Sequence, residues 1–461
     1  MQEKLYHIKT FGCQMNIRDS EIMAQKLGEQ GYLECADINE AGLIILNTCS
    51  VRGKAEQKVF SLLGSLRKNK QHNPDLKICV AGCVAQQEGR KIIERMEHVD
   101  LVIGTQHIYH IAQLLEKSVR DNTAINLADD YEIPQYVPKT VHPGPDTGID
   151  ISSGQFKFSR FVTIMQGCNN FCTYCVVPYT RGREVSRKAA DIIAEVTLLV
   201  NSGVSEITLL GQNVNSYGTT NRVTDSALPY SFADLLHEVA TIAGLRRLRF
   251  TTSNPKDLSA DLIDCFGDID ILCPQFHLPV QSGSDAVLKR MNRNYTISTY
   301  LDRVEQLIAV RPDIALTTDI IVGFPGETEA DFGQTMELLE TIKYHGSFSF
   351  KYSDRPGTRA ANLDKKIDEK EKSRRLQIFQ KRQDEISLER NQAYVGSTRT
   401  ILVEKHDSAK LMGRTSTNHI VHVETAAGDS SPRPGEYAEV KITFGGQHSL
   451  KGHLLNGSTG R

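Results

Sequence analysis

The 461-residue chain has no tryptophan and no long apolar run; its densest apolar stretches are LIIL at 43–46 and VTLLV at 196–200. A membrane-crossing helix needs ~20 such residues in a row, so none is expected. Charge of one sign is lacking too. Lys and Arg number 54 against 56 Asp and Glu, a formal net charge of −2, which leaves room for a locally basic groove without demanding one. The opening residues MQEKLYHIKT contain neither the apolar core nor the small-residue cleavage site of a secretory signal, and the expected location is cytoplasmic. In that reducing setting the ten cysteines read as metal ligands or catalytic thiols before disulfides.

What is present falls into segments. Over residues 1–120, strand-length apolar runs (LYHIKTF, LIILNT, KICVAG, LVIG) alternate with helical patterns, the signature of a small parallel α/β sheet. Residues 121–153 lose that periodicity and collect Pro134, Pro138, Pro143 and Pro145, which marks a linker. A second βα series over 154–390 has strands at FVTIMQ, EITLLG, RLRFTT, PQFHLPV, ALTTDIIVG and GSFSFKYS, and a charged helical stretch beginning at Asp368 closes it. Six such units suit a partial or complete parallel barrel. From 391 to 461 the pattern becomes short β-branched runs broken by Gly and Pro, as in a small five-stranded antiparallel barrel. The fold class is therefore α/β multidomain, with a parallel α/β domain, a barrel of about six βα units and a C-terminal β-barrel.

Cys168, Cys172 and Cys175 form C-x3-C-x2-C just after the first strand of the second series, at the carboxyl edge where such folds place their sites. A closed structural zinc site is one reading, but it wants four ligands, and no histidine lies between His142 and His237. A cubane iron-sulfur cluster tolerates three thiolates, leaving one iron open for chemistry, and the spacing favours it. Cys13, Cys49 and Cys83 each follow a strand of the first series (IKTFGC, IILNTC, CVAGC). Parallel strands lie ~5 Å apart, so three thiols at neighbouring carboxyl edges can meet on one small object. Cys35, Cys79, Cys265 and Cys273 recur at no common place and read as core residues.

With CNNFCTYC ahead of a βα series, and with GCQMN, NTCSVR, GCVAQ, CTYCVVPYTRG, HLPVQSGSD and DIIVGFPGET, the chain resembles the radical S-adenosylmethionine methylthiotransferases over nearly its whole length, and most nearly their bacterial dimethylallyladenosine tRNA branch. The resemblance implies an N-terminal methylthiotransferase domain, a radical core and a C-terminal TRAM domain. It implies that Cys168, Cys172 and Cys175 hold a 4Fe-4S cluster that cleaves S-adenosylmethionine, and that Cys13, Cys49 and Cys83 hold an auxiliary 4Fe-4S cluster carrying the sulfur to be inserted. The methyl group would come from a second S-adenosylmethionine. The expected substrate is tRNA at its anticodon stem-loop, the reductant a flavodoxin or ferredoxin, and the chain a monomer.

Weaker signals accompany these. Gln212, Ser253 and Gln281 stand at strand ends that resemble cofactor-holding positions, although short polar side chains there are also ordinary loop caps. Arg181, Arg183 and Arg187 directly follow the thiol loop, where RNA phosphate contact competes with a solvated charge run. Methylthiolation of threonylcarbamoyladenosine or of a ribosomal protein are the enzyme alternatives. A non-enzymatic RNA-binding protein with structural zinc is the alternative of a different class.

Overall fold

The computed structural model describes residues 3–50, 53–121, 124–127, 133, 158–219, 230–407, 410–424 and 432–460. The proline-bearing stretch read as a linker lies almost wholly outside them. Part of its start does not: Ala124–Asn126 is a strand.

The N-terminal domain is a six-stranded parallel sheet of β1 (Lys4–Thr10), β2 (Tyr32–Glu34), β3 (Leu43–Thr48), β4 (Lys77–Gly82), β5 (Leu101–Ile103) and β6 (Ala124–Asn126), in the spatial order β2-β1-β3-β4-β5-β6. Every residue of β3 is buried, which is why its sequence LIILNT is continuously apolar until the last turn of the strand. The short outer strands β2 and β6 escape the sequence pattern because, unlike the equally short β5, they lie in no continuous apolar run.

The central domain holds β7 (Ser159–Thr163), the short pair β8 (Met165–Gln166) and β9 (Val185–Ser186), then β10 (Glu206–Leu210), β11 (Arg247–Thr251), β12 (Gln275–His277), β13 (Ala315–Val322) and β14 (Gly346–Lys351). The order β7-β10-β11 runs into β12-β13-β14 through a parallel bridge between Leu248 and Leu272. The result is an open, partial barrel. The helix Glu369–Gln392 covers its β14 edge, with Gln383 donating to the Tyr344 carbonyl at 2.9 Å and Ser387 to that of His345 at 3.1 Å. Covering an edge in this way blocks further strand pairing. Local chemistry starts the helices: Ser231 and Asp234 form a capping box at Phe232–Ala240, Thr328 and Asp331 another at Glu329–Ile342, and Asp368 caps the long helix.

The C-terminal domain is a closed barrel of β15 (Thr398–His406), β16 (Lys410–Thr415), β17 (Ile420–Glu424), β18 (Tyr437–Gly445) and β19 (Leu450–Gly460). It has the five strands expected, but it is not wholly antiparallel: β17 and β19 run parallel, which is how the last strand closes the barrel. Arg247 and Arg249 at the β11 end of the central barrel donate to carbonyls of Thr400, Arg414, Thr415 and Ser416, seating the small barrel on the large one.

Candidate functional site

The three N-terminal strands end together and deliver their thiols to one place. Cys13 caps the helix Gln14–Gly28 at the rim, exposed, while Cys49 and Cys83 are buried behind it. A polar lattice fixes these loops. Asn16, fully buried, donates to Asn47 Oδ1 at 3.2 Å and to the Thr48 carbonyl at 2.9 Å, and the Thr48 hydroxyl donates to the Ala81 carbonyl at 2.7 Å. Gly12 has φ +129°, and a Cβ there would meet Cys49 Cβ at 2.5 Å; the loops approach this closely only because the residue is glycine.

Cys13 is held down to about 6, chiefly by its hydrogen bond with Cys49, with the Arg181 charge assisting against burial. Burial pushes Cys83 up, and Arg181 works against that rise. Of the N-terminal triad, Cys13 at the rim thus favours the thiolate, with one guanidinium beside it and Cys83.

The second triad sits on the loop after β8. Gly167, at φ +77°, turns the chain where a Cβ would stand 2.0 Å from the Arg183 carbonyl oxygen. The Cys168 amide donates to the Gly182 carbonyl at 3.2 Å, and the Cys175 amide to that of Cys172 at 3.0 Å. Asn170 donates to Cys168 Sγ at 3.4 Å and Arg293 to Cys172 Sγ at 3.5 Å. Burial drives Cys175 up to about 12 and also raises Cys168, so these two thiols need a bound cation to become thiolates. Among the described residues no three His, Cys, Asp or Glu side chains close on a single metal ion. A cubane takes its thiolates on separate irons, so both triads fit that group by donor chemistry.

The barrel mouth beside this loop carries buried polar atoms without protein partners: both amide atoms of Gln166, Thr163 Oγ1, Asn213 Oδ1 and Ser253 Oγ. Buried polar atoms are normally paired, and a set of them at the strand ends fits a polar cofactor. Ser253 is one of these unpartnered groups and follows Thr252, a β-branched residue at the unusual φ of +72°. Gln281, also at positive φ (+73°), is buried at the end of β12, bridged to Ile320 of β13. Gln212 is turned to the loop instead, accepting from the Gly167 amide at 2.6 Å, because the tight turn leaves that amide without a backbone acceptor.

The arginines divide. Arg181 does not face outward as an RNA contact would; it is 4% exposed and donates to Asp19 Oδ2 at 2.7 Å, drawn inward because the N-terminal domain presents a buried carboxylate. Arg187 is likewise buried, on Glu195 at 2.7 Å and the Thr163 carbonyl at 2.6 Å. Arg183 is exposed, 5.9 Å from the Phe171 ring.

Several residues carry no sequence signal. On β13, Ile320 and Val322 pack into the helix-side core, so Thr317, Asp319 and Ile321 face the barrel interior. Phe348 and Phe350 stand opposite Asp319 and Ile321, on that same face, and remain 58% and 45% exposed. His277 joins them, 3.0 Å from Thr317 Oγ1, 3.4 Å from Asp319 Oδ1 and 5.9 Å from the Phe348 ring. An apolar, aromatic wall inside the barrel is an invitation to a flat or greasy substrate group. Arg293 and Gln166 are also unsignalled, each one polar residue in a loop or an apolar strand.

Comparison with known proteins separates the three domains. Residues 5–104 match the uncharacterized protein family UPF0004, residues 162–339 the radical SAM superfamily and residues 392–455 the TRAM domain. This combination defines the class: a radical S-adenosylmethionine protein, which implies a 4Fe-4S cluster and S-adenosylmethionine, with a TRAM domain that suggests RNA binding. Solved structures agree on fold alone. A radical S-adenosylmethionine methyltransferase, TsrM, from Kitasatospora setae superposes with a TM-score of 0.58 at 14% identity, over 78% of this chain and 75% of that one.

Among curated relatives, a tRNA-2-methylthio-N(6)-dimethylallyladenosine synthase of Desulfotalea psychrophila is 60% identical over 99% of this chain and 100% of its own length. Those of Syntrophobacter fumaroxidans and Geobacter metallireducens are each 47% identical, over 98% of this chain and 95% and 98% of their own lengths. The chain belongs to the family of tRNA-2-methylthio-N(6)-dimethylallyladenosine synthases. Among the described residues no helix is long and apolar enough to cross a membrane.

Proposed function

We propose that the chain adds a methylthio group to C2 of N6-dimethylallyladenosine beside the anticodon of tRNA, with S-adenosylmethionine as radical source and methyl donor. The observation that carries this reading is the pair of three-thiol sites in one body, at the carboxyl edges of two parallel sheets and joined by the buried Arg181–Asp19 ion pair. Cys168, Cys172 and Cys175 would hold one 4Fe-4S cluster and Cys13, Cys49 and Cys83 a second. When bound, the first supplies the electron that cleaves S-adenosylmethionine, and the second supplies sulfur.

The chain's own residues do the rest. Gly167 and Gln212 set the thiol loop, Arg293 orients Cys172, and the unpaired atoms of Gln166, Asn213 and Ser253 offer donors and acceptors to the cofactor. Phe348 and Phe350 offer apolar surface to the modified base. The C-terminal barrel would dock the tRNA. A cytoplasmic monomer reduced by a flavodoxin or ferredoxin completes the reading. The relatives' shared name supports it over threonylcarbamoyladenosine or a ribosomal protein.

Anaerobic reconstitution tests it. Changing Cys168, Cys172 and Cys175 to Ala should remove one cluster and all cleavage of S-adenosylmethionine. Changing Cys13, Cys49 and Cys83 to Ala should spare cleavage and abolish methylthiolated nucleoside in mass spectra of tRNA digests. Stoichiometric zinc without iron in protein prepared without oxygen would overturn the proposal.

A further inference from the structure

We infer that Arg181 is a positioning residue of the N-terminal thiol site, donating from Nη1 to the sulfur atoms held there and so raising the reduction potential of that site's cluster. This rests on the auxiliary-cluster reading above.

Arg181 belongs to the radical domain, six residues beyond Cys175, yet its guanidinium lies inside the N-terminal site. Nη2 is taken by Asp19 at 2.7 Å, while Nη1 is buried with no acceptor in hydrogen-bond geometry, the Cys83 thiol being the sulfur on which the guanidinium already acts. The groups facing the guanidinium are Asp19, Cys83 and Cys13, and the Arg18 charge also acts on Asp19. Burial opposes its charge, but these three groups hold it protonated. A buried donor on a charged group is seldom left unmade, because the desolvation penalty of about 1–3 kcal/mol or more is then uncompensated. The acceptor that would complete it is a sulfur of the object filling the thiol mouth. Hydrogen bonds and positive charge beside cluster sulfurs stabilise the reduced, more negative state, and so raise the potential. The N-terminal site is then complete only when the radical domain is docked on it.

The rival account makes Arg181 a structural clamp acting through Asp19 alone. The loop is held by more than that pair: the Thr105 hydroxyl donates to the Thr180 carbonyl at 2.7 Å, and Gly182, at φ +79°, packs against the Gln106 side chain. A clamp predicts that Arg181→Gln and Asp19→Asn, which break the same ion pair, move the cluster alike. A donor predicts opposite signs, since one removes a positive charge near the sulfurs and the other frees it from its counter-charge.

The experiment is a redox titration followed by electron paramagnetic resonance, in the full chain carrying Cys168, Cys172 and Cys175 as Ala so that only the N-terminal cluster reports. The expected midpoint lies below the parent in R181Q, between the two in R181K and above the parent in D19N. Shifts of one sign, or no shift, with iron retained would overturn the inference. Should R181Q fail to hold iron, R181K against D19N decides by the same signs. Absence of iron from the parent would instead remove the auxiliary-cluster reading, and this inference with it.

Discussion

Arg293 donates to Cys172 Sγ at 3.5 Å from Nη1 and to the Pro279 carbonyl at 2.8 Å from Nη2, while its Nε donates to Tyr295 Oη at 3.0 Å. One side chain thus ties the middle thiol of the radical loop to the end of β12. Lysine cannot reproduce this planar fork. In Arg293→Lys the rate of S-adenosylmethionine cleavage should fall at least tenfold, with the N-terminal cluster intact by iron content and by its resonance spectrum. An unchanged cleavage rate would show that Arg293 only fills space.

The interior wall of Phe348 and Phe350 should read the apolar substituent of the base. Each buried methylene contributes about 0.8 kcal/mol, so losing most of this contact with a five-carbon group should lower discrimination between dimethylallylated and unmodified tRNA roughly tenfold or more. The F348A/F350A double variant is to be assayed for kcat/KM on both RNAs. Equal losses on the two would place the substituent elsewhere.

On the C-terminal barrel, Phe444 is 54% exposed with Lys451 Nζ 5.7 Å from its ring. A ring beside a cation is suited to an unstacked base and its phosphate, and such stacking is worth about 1–3 kcal/mol per base. F444A should weaken tRNA binding about fivefold to a hundredfold with little change in salt dependence. K451Q should lower the slope of log affinity against log salt by roughly one. If neither changes binding in a salt series, RNA meets another face. These substitutions are cleaner than deleting the barrel, which would strip Arg247 and Arg249 of their carbonyl acceptors.

Acid should loosen the seat of that barrel. Burial alone would raise the Glu206 carboxyl, but Arg249 at 3.1 Å and Arg247 at 3.8 Å outweigh it and hold its pKa below the ordinary value. Its contribution is therefore full above the ordinary glutamate pKa of about 4.3 and disappears as pH falls through the lower folded value. Glu206→Gln should cost roughly 3–5 kcal/mol at neutral pH and flatten the stability profile over that acid range. Thermal unfolding from pH 7 to 3 makes the comparison; parallel profiles would mean that Glu206 does not govern the acid limb.

The thiol sets and domain order are readable in the chain because they are local. Three strands of one βα series end at the same edge, so Cys13, Cys49 and Cys83 each follow within three residues of the carboxyl end of β1, β3 or β4. C-x3-C-x2-C fits one loop, and Gly167 announces its turn. Apolar periodicity carries the strands of both sheets, and Asp368 with the charged run behind it carries the long helix. The short strands β2, β6 and β9 lie outside any strand-length apolar run, whereas the equally short β5 and β12 show through the apolar stretches LVIG and PQFHLPV that contain them.

The direction a polar side chain takes is another matter. Arg181 and Arg183 are two residues apart in the same basic loop, yet one is buried on Asp19 and the other exposed. Asp19 lies 162 positions away, and only the docking of two domains brings it within reach. Likewise the parallel closure of β17 on β19, the interior aspect of Phe348 and the guanidinium of Arg293 on Cys172 arise from packing between distant segments. A residue's type and spacing set which bonds it can make. Which one it makes depends on the partner that burial leaves within hydrogen-bonding distance once water is gone.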